Sequence, residues 1–154
     1  MNFDTVSKFE QAIADYYGAP HAVAVDCCTH AIELCLRYTD IIDAAVFWKN
    51  GSYIPETYMC LSFQFQKHLS LGRGGMILTD NKAAAQELKK MSYDGRIPDR
   101  PWRDQDINSM GYHYYMTPET AALGLKKLPT AIAEIPRQWT INNWPDLRKM
   151  DVFK

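Results

Sequence analysis

Short apolar runs alternate with amphipathic stretches along this chain, and that alternation constrains the fold more than any other feature of the sequence. His21-Ala-Val-Ala-Val25, residues 41–45, residues 58–63 and Met76-Ile-Leu-Thr79 are brief and apolar, so each predicts a strand with most of its surface buried. Helical spacing fills the gaps. Phe9, Ile13 and Tyr16 or Tyr17 recur on one face of a helix over 4–17, which Gly18 stops. Thr29 is a good N-cap for a second helix over roughly 29–38, and 82–91 reads as a third. Thr117-Pro-Glu-Thr120 opens a fourth that runs to about residue 128, with Pro118 in its first turn. Residues 95–110 are polar with two prolines and predict a long loop, and the last 25 residues show no clear period. Strands alternating with helices imply an α/β fold with a mostly parallel sheet flanked by helices.

Composition narrows the function classes. The 154 residues amount to about one domain, and 47% hydrophobic residues can furnish one core. Seventeen basic residues nearly cancel eighteen acidic ones, so neither nucleic acid nor an anionic membrane is expected as partner. No apolar run reaches the length of a membrane span, and the opening MNFDTVSKFEQ lacks the pattern of a secretory signal; the expected location is the cytoplasm. Cys27, Cys28, Cys35 and Cys60 contain no CxxC pair. A zinc set with nearby His30 is conceivable, but core thiols in a reducing compartment are the plainer reading, and no metal site is expected.

Four local features carry chemical meaning by their order. The turn Asp26-Cys-Cys-Thr29 joins a strand to a helix, and free amides at such a start can hold an anion. Asp43 ends an otherwise apolar strand, Ser62-Phe-Gln-Phe-Gln-Lys67 puts a lysine just past a buried one, and Gly72-Arg-Gly-Gly75 turns the chain into another. Singly, these read as a helix cap, a solvated strand end, a surface lysine and a loop.

Together they resemble the DegT/DnrJ/StrS nucleotide-sugar aminotransferases, enzymes of the fold-type I group that depend on pyridoxal 5'-phosphate (PLP). The resemblance rests on Tyr17-Gly-Ala19, Cys27-Cys-Thr29, Asp43-Ala-Ala45, Ser62 through Lys67, Gly72 through Gly75, Gly111-Tyr-His-Tyr-Tyr-Met116 and Ala121-Ala-Leu-Gly-Leu-Lys-Lys-Leu128. It spans roughly residues 8–128. It implies that Lys67 binds PLP as a Schiff base and then serves as a base, and that Asp43 holds the proton on the pyridine nitrogen. Cys28, Thr29 and Ser62 would supply amides and hydroxyls to the phosphate. The implied reaction moves an amino group from an amino-acid donor to a nucleotide-linked keto-sugar. The implied assembly is a homodimer in which His113 lies near the other subunit's phosphate.

Departures from the pattern set further expectations. Residues 38–40 run straight into the Asp43 strand where the family has a long intervening stretch, and that stretch supplies the ring that stacks on the cofactor. Val46 stands where a Gln or His is usual, Cys28 replaces a Gly, Arg73 an acid, and His113 and Tyr115 an Asn and an Arg. Residues 1–128 would then be a reduced PLP-binding large domain and 129–154 a C-terminal tail left from the small domain. The expected strand order in space is the first strand, the antiparallel glycine-turn strand, the lysine strand and the aspartate strand, the last an exposed edge. The alternative is a remnant or assembly module that keeps the sheet without catalysis, or one piece of a larger enzyme.

Overall fold

A computed structural model describes residues 2–138 and 146–153. Four strands form one sheet: β1 (His21–Val25), β2 (Ile41–Asp43), β3 (Tyr58–Ser62) and β4 (Gly75–Thr79). Their spatial order is β1-β4-β3-β2, the order expected above. β4 runs antiparallel to both β1 and β3, while β2 lies parallel to β3. Three strands therefore point one way and β4 the other, so the sheet is mixed.

Helices cover both faces. α1 (Asp4–Tyr17) and α4 (Pro118–Ala133) lie on one, and α2 (Cys28–Cys35) and α3 (Lys82–Ser92) on the other. Strand side chains alternate between them: Met59, Leu61, Met76 and Leu78 face α1 and α4, whereas Val23, Val25, Cys60 and Ile77 face α2 and α3. On α1 the apolar stripe is Val6, Phe9, Ile13 and Tyr17, and burial of each large member stabilises the fold by roughly 1.5–3 kcal/mol. Gly18 ends α1 in left-handed backbone at φ 74°, as its position predicts. α1 and α4 meet closely at Gly124, where a Cβ would lie 2.6 Å from the Phe9 ring.

Glu10 breaks the apolar stripe of α1 while buried. Its Oε1 accepts the Ala24 amide at 2.9 Å and its Oε2 meets Lys89 Nζ at 2.6 Å, tying α1 to β1 and α3. Burial pushes its carboxyl above the ordinary range, against the opposing pull of Lys89.

Several boundaries differ from the sequence expectation. α2 begins one residue early, with Cys27 as its N-cap and Thr29 exposed inside the first turn. β2 stops at Asp43 because the Asp43 Oδ1 accepts the Ala45 amide at 3.0 Å and turns the chain out of the sheet. α4 continues through Pro129 to Ala133, past residue 128, because its buried stripe of Ala121, Gly124, Leu128 and Ala131 continues. Residues 36–40 cross from α2 to β2; Tyr38 stacks on Tyr58 at 4.5 Å, and Asp40 adopts a left-handed φ of 60°. Of the expected tail, residues 139–145 and 154 lie outside the described part.

Candidate active site

The ends of β1, β2 and β3 and the start of β4 gather at one end of the sheet. Val25 and Ser62 both stand opposite Gly75, and Asp43 stands opposite Cys60. Two residues, Asp26 and Cys27, separate β1 from α2. Cys27, its N-cap, makes no side-chain bond to the helix, so the first-turn amides of α2 receive no acceptor from it. Gly75 packs directly against this start, since a Cβ there would lie 2.5 Å from the Cys27 carbonyl carbon and 2.7 Å from the Cys28 nitrogen. Only glycine lets the fourth strand begin so close to the turn.

The loop after β3 is held by the same glycine segment. The Phe63 amide donates to the Gly74 carbonyl at 2.9 Å and the Phe65 amide to the Gly72 carbonyl at 3.1 Å, with Gly72 and Gly74 both at positive φ. A tight turn follows, in which the Lys67 amide donates to the Gln64 carbonyl at 2.8 Å. Lys67 is half-buried, and it lines with Ser62 a cavity of about 220 Å³ walled by Tyr17, Ala44, Phe47 and Trp48.

Asp43 is exposed and does not line this cavity, yet Cys28 connects it to Lys67. The Cys28 thiol is pushed up to about 12, first by burial, next by the negative Asp43 carboxylate, while the Lys67 ammonium pulls the other way. The thiol is therefore neutral, and its Sγ donates to the Cys60 carbonyl at 3.4 Å. Asp43 and Lys67 thus both lie within electrostatic reach of the residue that begins α2. Thr29, one position on, points to solvent. His113 lies elsewhere. Its side chain is 74% exposed, 3.2 Å from both Asp94 carboxylate oxygens, and it lines a separate cavity of about 260 Å³ with Asp26, Arg73 and Gly74. Bridges from Tyr115 to Val25 and from His113 to Tyr93 pin this segment beside β1.

Sequence reasoning missed a cluster of rings at the first cavity. Trp48 stacks on Tyr16 at 4.8 Å and leans on His68 at 5.2 Å, and the Tyr17 hydroxyl donates to the Phe47 carbonyl at 2.7 Å. Trp48 Nε1 is buried without an acceptor among the described residues. The one signal for it in the sequence is an aromatic pair, Phe47-Trp48, just past Asp43-Ala-Ala45.

This constellation can be set beside known proteins. The profile of the DegT/DnrJ/EryC1/StrS aminotransferase family matches residues 1–54 and 49–141. The chain belongs to that family. Its members are PLP-dependent. The match comes in two pieces that overlap at residues 49–54. Among curated relatives, the UDP-4-amino-4,6-dideoxy-N-acetyl-beta-L-altrosamine transaminase of Campylobacter jejuni is 27% identical over 85 residues, 55% of this chain and 22% of the relative. Among solved structures, Helicobacter pylori PseC, an aminotransferase involved in the biosynthesis of pseudoaminic acid, has a TM-score of 0.66 at 13% identity, covering 84% of this chain and 58% of that one. The sugar aminotransferase CalS13 from Micromonospora echinospora has a TM-score of 0.66 at 14% identity, covering 84% and 61%. At these identities the structural likeness speaks for the fold, which is the fold-type I aminotransferase architecture. The chain spans about a fifth of the curated relative and about three fifths of these structural neighbours.

Proposed function

We propose that this chain binds PLP and belongs to a sugar aminotransferase that moves an amino group from an amino acid to a nucleotide-linked keto-sugar. The observation that carries the reading is the convergence of Lys67, Ser62 and Asp43 on one sheet end, with Asp43 and Lys67 both acting on the Cys28 thiol. The donor set fits a phosphorylated pyridine aldehyde. It offers an amine, a carboxylate, a hydroxyl and uncapped helix amides, with the buried Trp48 Nε1 wanting an acceptor nearby. When bound, PLP supplies an electron sink. Lys67 would tether it and move a proton at Nζ, Asp43 would hold the proton on the ring nitrogen, and Ser62 with the Cys28 and Thr29 amides would orient the phosphate.

A homodimer follows from the same reading, because His113 stands exposed and β2 ends the sheet as an open edge. A cytoplasmic setting keeps the four free thiols reduced, and among the described residues no helix is long and apolar enough to cross a membrane. One feature favours the second reading, a module that keeps the sheet without turnover. Val46, where the family resemblance leads to the expectation of a Gln or His, is an exposed aliphatic side chain three residues after Asp43.

The test is direct. PLP added to the full chain should give a saturable visible band that borohydride bleaches, with the label recovered on a peptide containing Lys67. Lys67→Ala should lose both band and label. If that variant binds and labels like the parent, the cofactor reading falls; if the parent labels at Lys67 yet aminates no keto-sugar nucleotide, the non-catalytic module stands.

A further inference from the structure

The turn between β1 and α2 carries a group of donor atoms that the aminotransferase reading leaves unused. Asp26, Cys27 and His30 are half-buried, and one ligand atom from each lies within 4.8 Å of the other two. The spacing produces the group. Cys27 is the N-cap of α2 and His30 its third residue, positions whose side chains face each other across a first helical turn. Asp26 adds a third donor four residues before His30. Cys27 makes no cap bond and no disulfide, so its thiol is committed to neither the helix nor another cysteine.

Groups outside the trio fix its geometry. The His30 ring lies flat on Tyr114, with centroids 3.6 Å apart and planes 11° from parallel, and the Tyr114 carbonyl accepts the Asp26 amide at 2.8 Å. The Asp26 carboxylate divides its oxygens: Oδ2 takes Arg73 Nη2 at 2.6 Å, and Oδ1 faces His30 Nδ1 at 2.6 Å. Arg73 Nε also reaches the Asp26 carbonyl at 3.2 Å. Such outer contacts orient ligands around metal ions.

We propose that Asp26, Cys27 and His30 form a binding site for one divalent ion of the zinc class. One carboxylate oxygen, one sulfur and one imidazole nitrogen make the mixed donor set that such borderline ions take, and three protein ligands leave a fourth position for water. Binding exchanges the Asp26–His30 hydrogen bond for a bond from each to the ion and releases the Cys27 thiol proton to solvent. The thiolate and carboxylate then balance the divalent charge. The ion would lock the turn that starts α2, and the proposal stands whether or not the chain holds PLP.

The experiment is a Co²⁺ titration of the metal-stripped full chain, followed by displacement with Zn²⁺. The expected result is saturation at one equivalent, with a near-ultraviolet sulfur-to-cobalt band and intensified visible bands. Cys27→Ser should abolish the near-ultraviolet band and Cys28→Ser should leave it. Tyr114→Leu, which removes the ring under His30 and touches no ion, should weaken binding roughly tenfold. Far-ultraviolet circular dichroism checks that each variant folds. In the unaltered chain, one equivalent of Zn²⁺ should slow alkylation of Cys27 relative to Cys28, a readout that needs no variant. Non-saturating binding (an adventitious ion only), a sulfur band that survives Cys27→Ser, or alkylation of Cys27 indifferent to Zn²⁺ would overturn the proposal.

Discussion

At the β1 edge of the sheet, Val23 and Val25 are 1% and 0% exposed, and the outward amides of Ala24 and Asp26 are taken by Glu10 and by the Tyr114 carbonyl. At the β2 edge the strand has three residues, Ile41 and Ile42 are half-buried, and Val46, Phe47 and Ile54 stand nearly half exposed nearby. One flank is closed by the chain's own helix and by residues 112–116. The other ends in apolar side chains that stand only about half covered by the described residues. The difference separates two kinds of information. The closed flank is a local packing problem that this sequence solves, whereas the open flank has the composition of a surface meant to be covered.

The contrast can be broken by mutation. Ile77 sits in the middle of the sheet at 0% exposure, so Ile77→Ala should lower stability by about 2–5 kcal/mol. Ile42→Ala at the open edge should cost about 1 kcal/mol or less, because a half-buried side chain has less to lose. Urea unfolding of both variants compares the flanks, and equal losses would mean that β2 is as well packed as β4.

Glu10 sharpens the closed flank through pH. Its carboxyl is raised in the fold, first by burial, so the folded chain keeps a proton that the unfolded chain has already released. Its contribution to stability is therefore full below the ordinary carboxylate value and is lost as pH rises through the raised one. Glu10→Gln should flatten that slope while an amide oxygen still accepts from Ala24, as urea midpoints across the acidic range would reveal. The smallest expected change in stability is at the open flank. Val46→Lys should shift it by no more than about 0.5 kcal/mol, yet in sedimentation velocity it should move any dimer toward monomer. A dimer indifferent to that charge joins through another surface.

Elements with strong periodicity were legible. α1 matches 4–17 to the residue because its stripe, its left-handed glycine and its length agree, and β1, β3 and β4 follow from dense apolar runs. The strand order came from the resemblance; no single-sequence pattern says that the strand after Gly74 inserts between β1 and β3. Errors fell at element ends: Asp43 turned β2 aside, and α4 ran past residue 128 because its buried stripe continues. For the site, the resemblance alone named Lys67, Ser62 and Asp43; the first two share a cavity, and Asp43 lies close enough to shift the Cys28 thiol. The rings of Tyr16, Tyr17 and Trp48 were not readable, since they meet only when α1 packs beside residues 46–48. The grouping of Asp26, Cys27 and His30 was not legible either, because no CxxC pair marks it and only the turn into α2 brings Asp26 to His30.

The antiparallel insertion of β4 bears on how the chain comes to be made. Among the strands of the described residues β1 pairs only with β4, and the register places His21 opposite Thr79. A nascent chain leaving the ribosome therefore carries β1 with no strand to bond until the segment after Gly74 has emerged. Until then α1 can form, but Val23 and Val25 stay exposed. Pairings this distant in sequence slow folding and leave sticky intermediates. A chain cut before Gly75 should thus be a substrate for chaperones and proteases rather than a smaller folded protein.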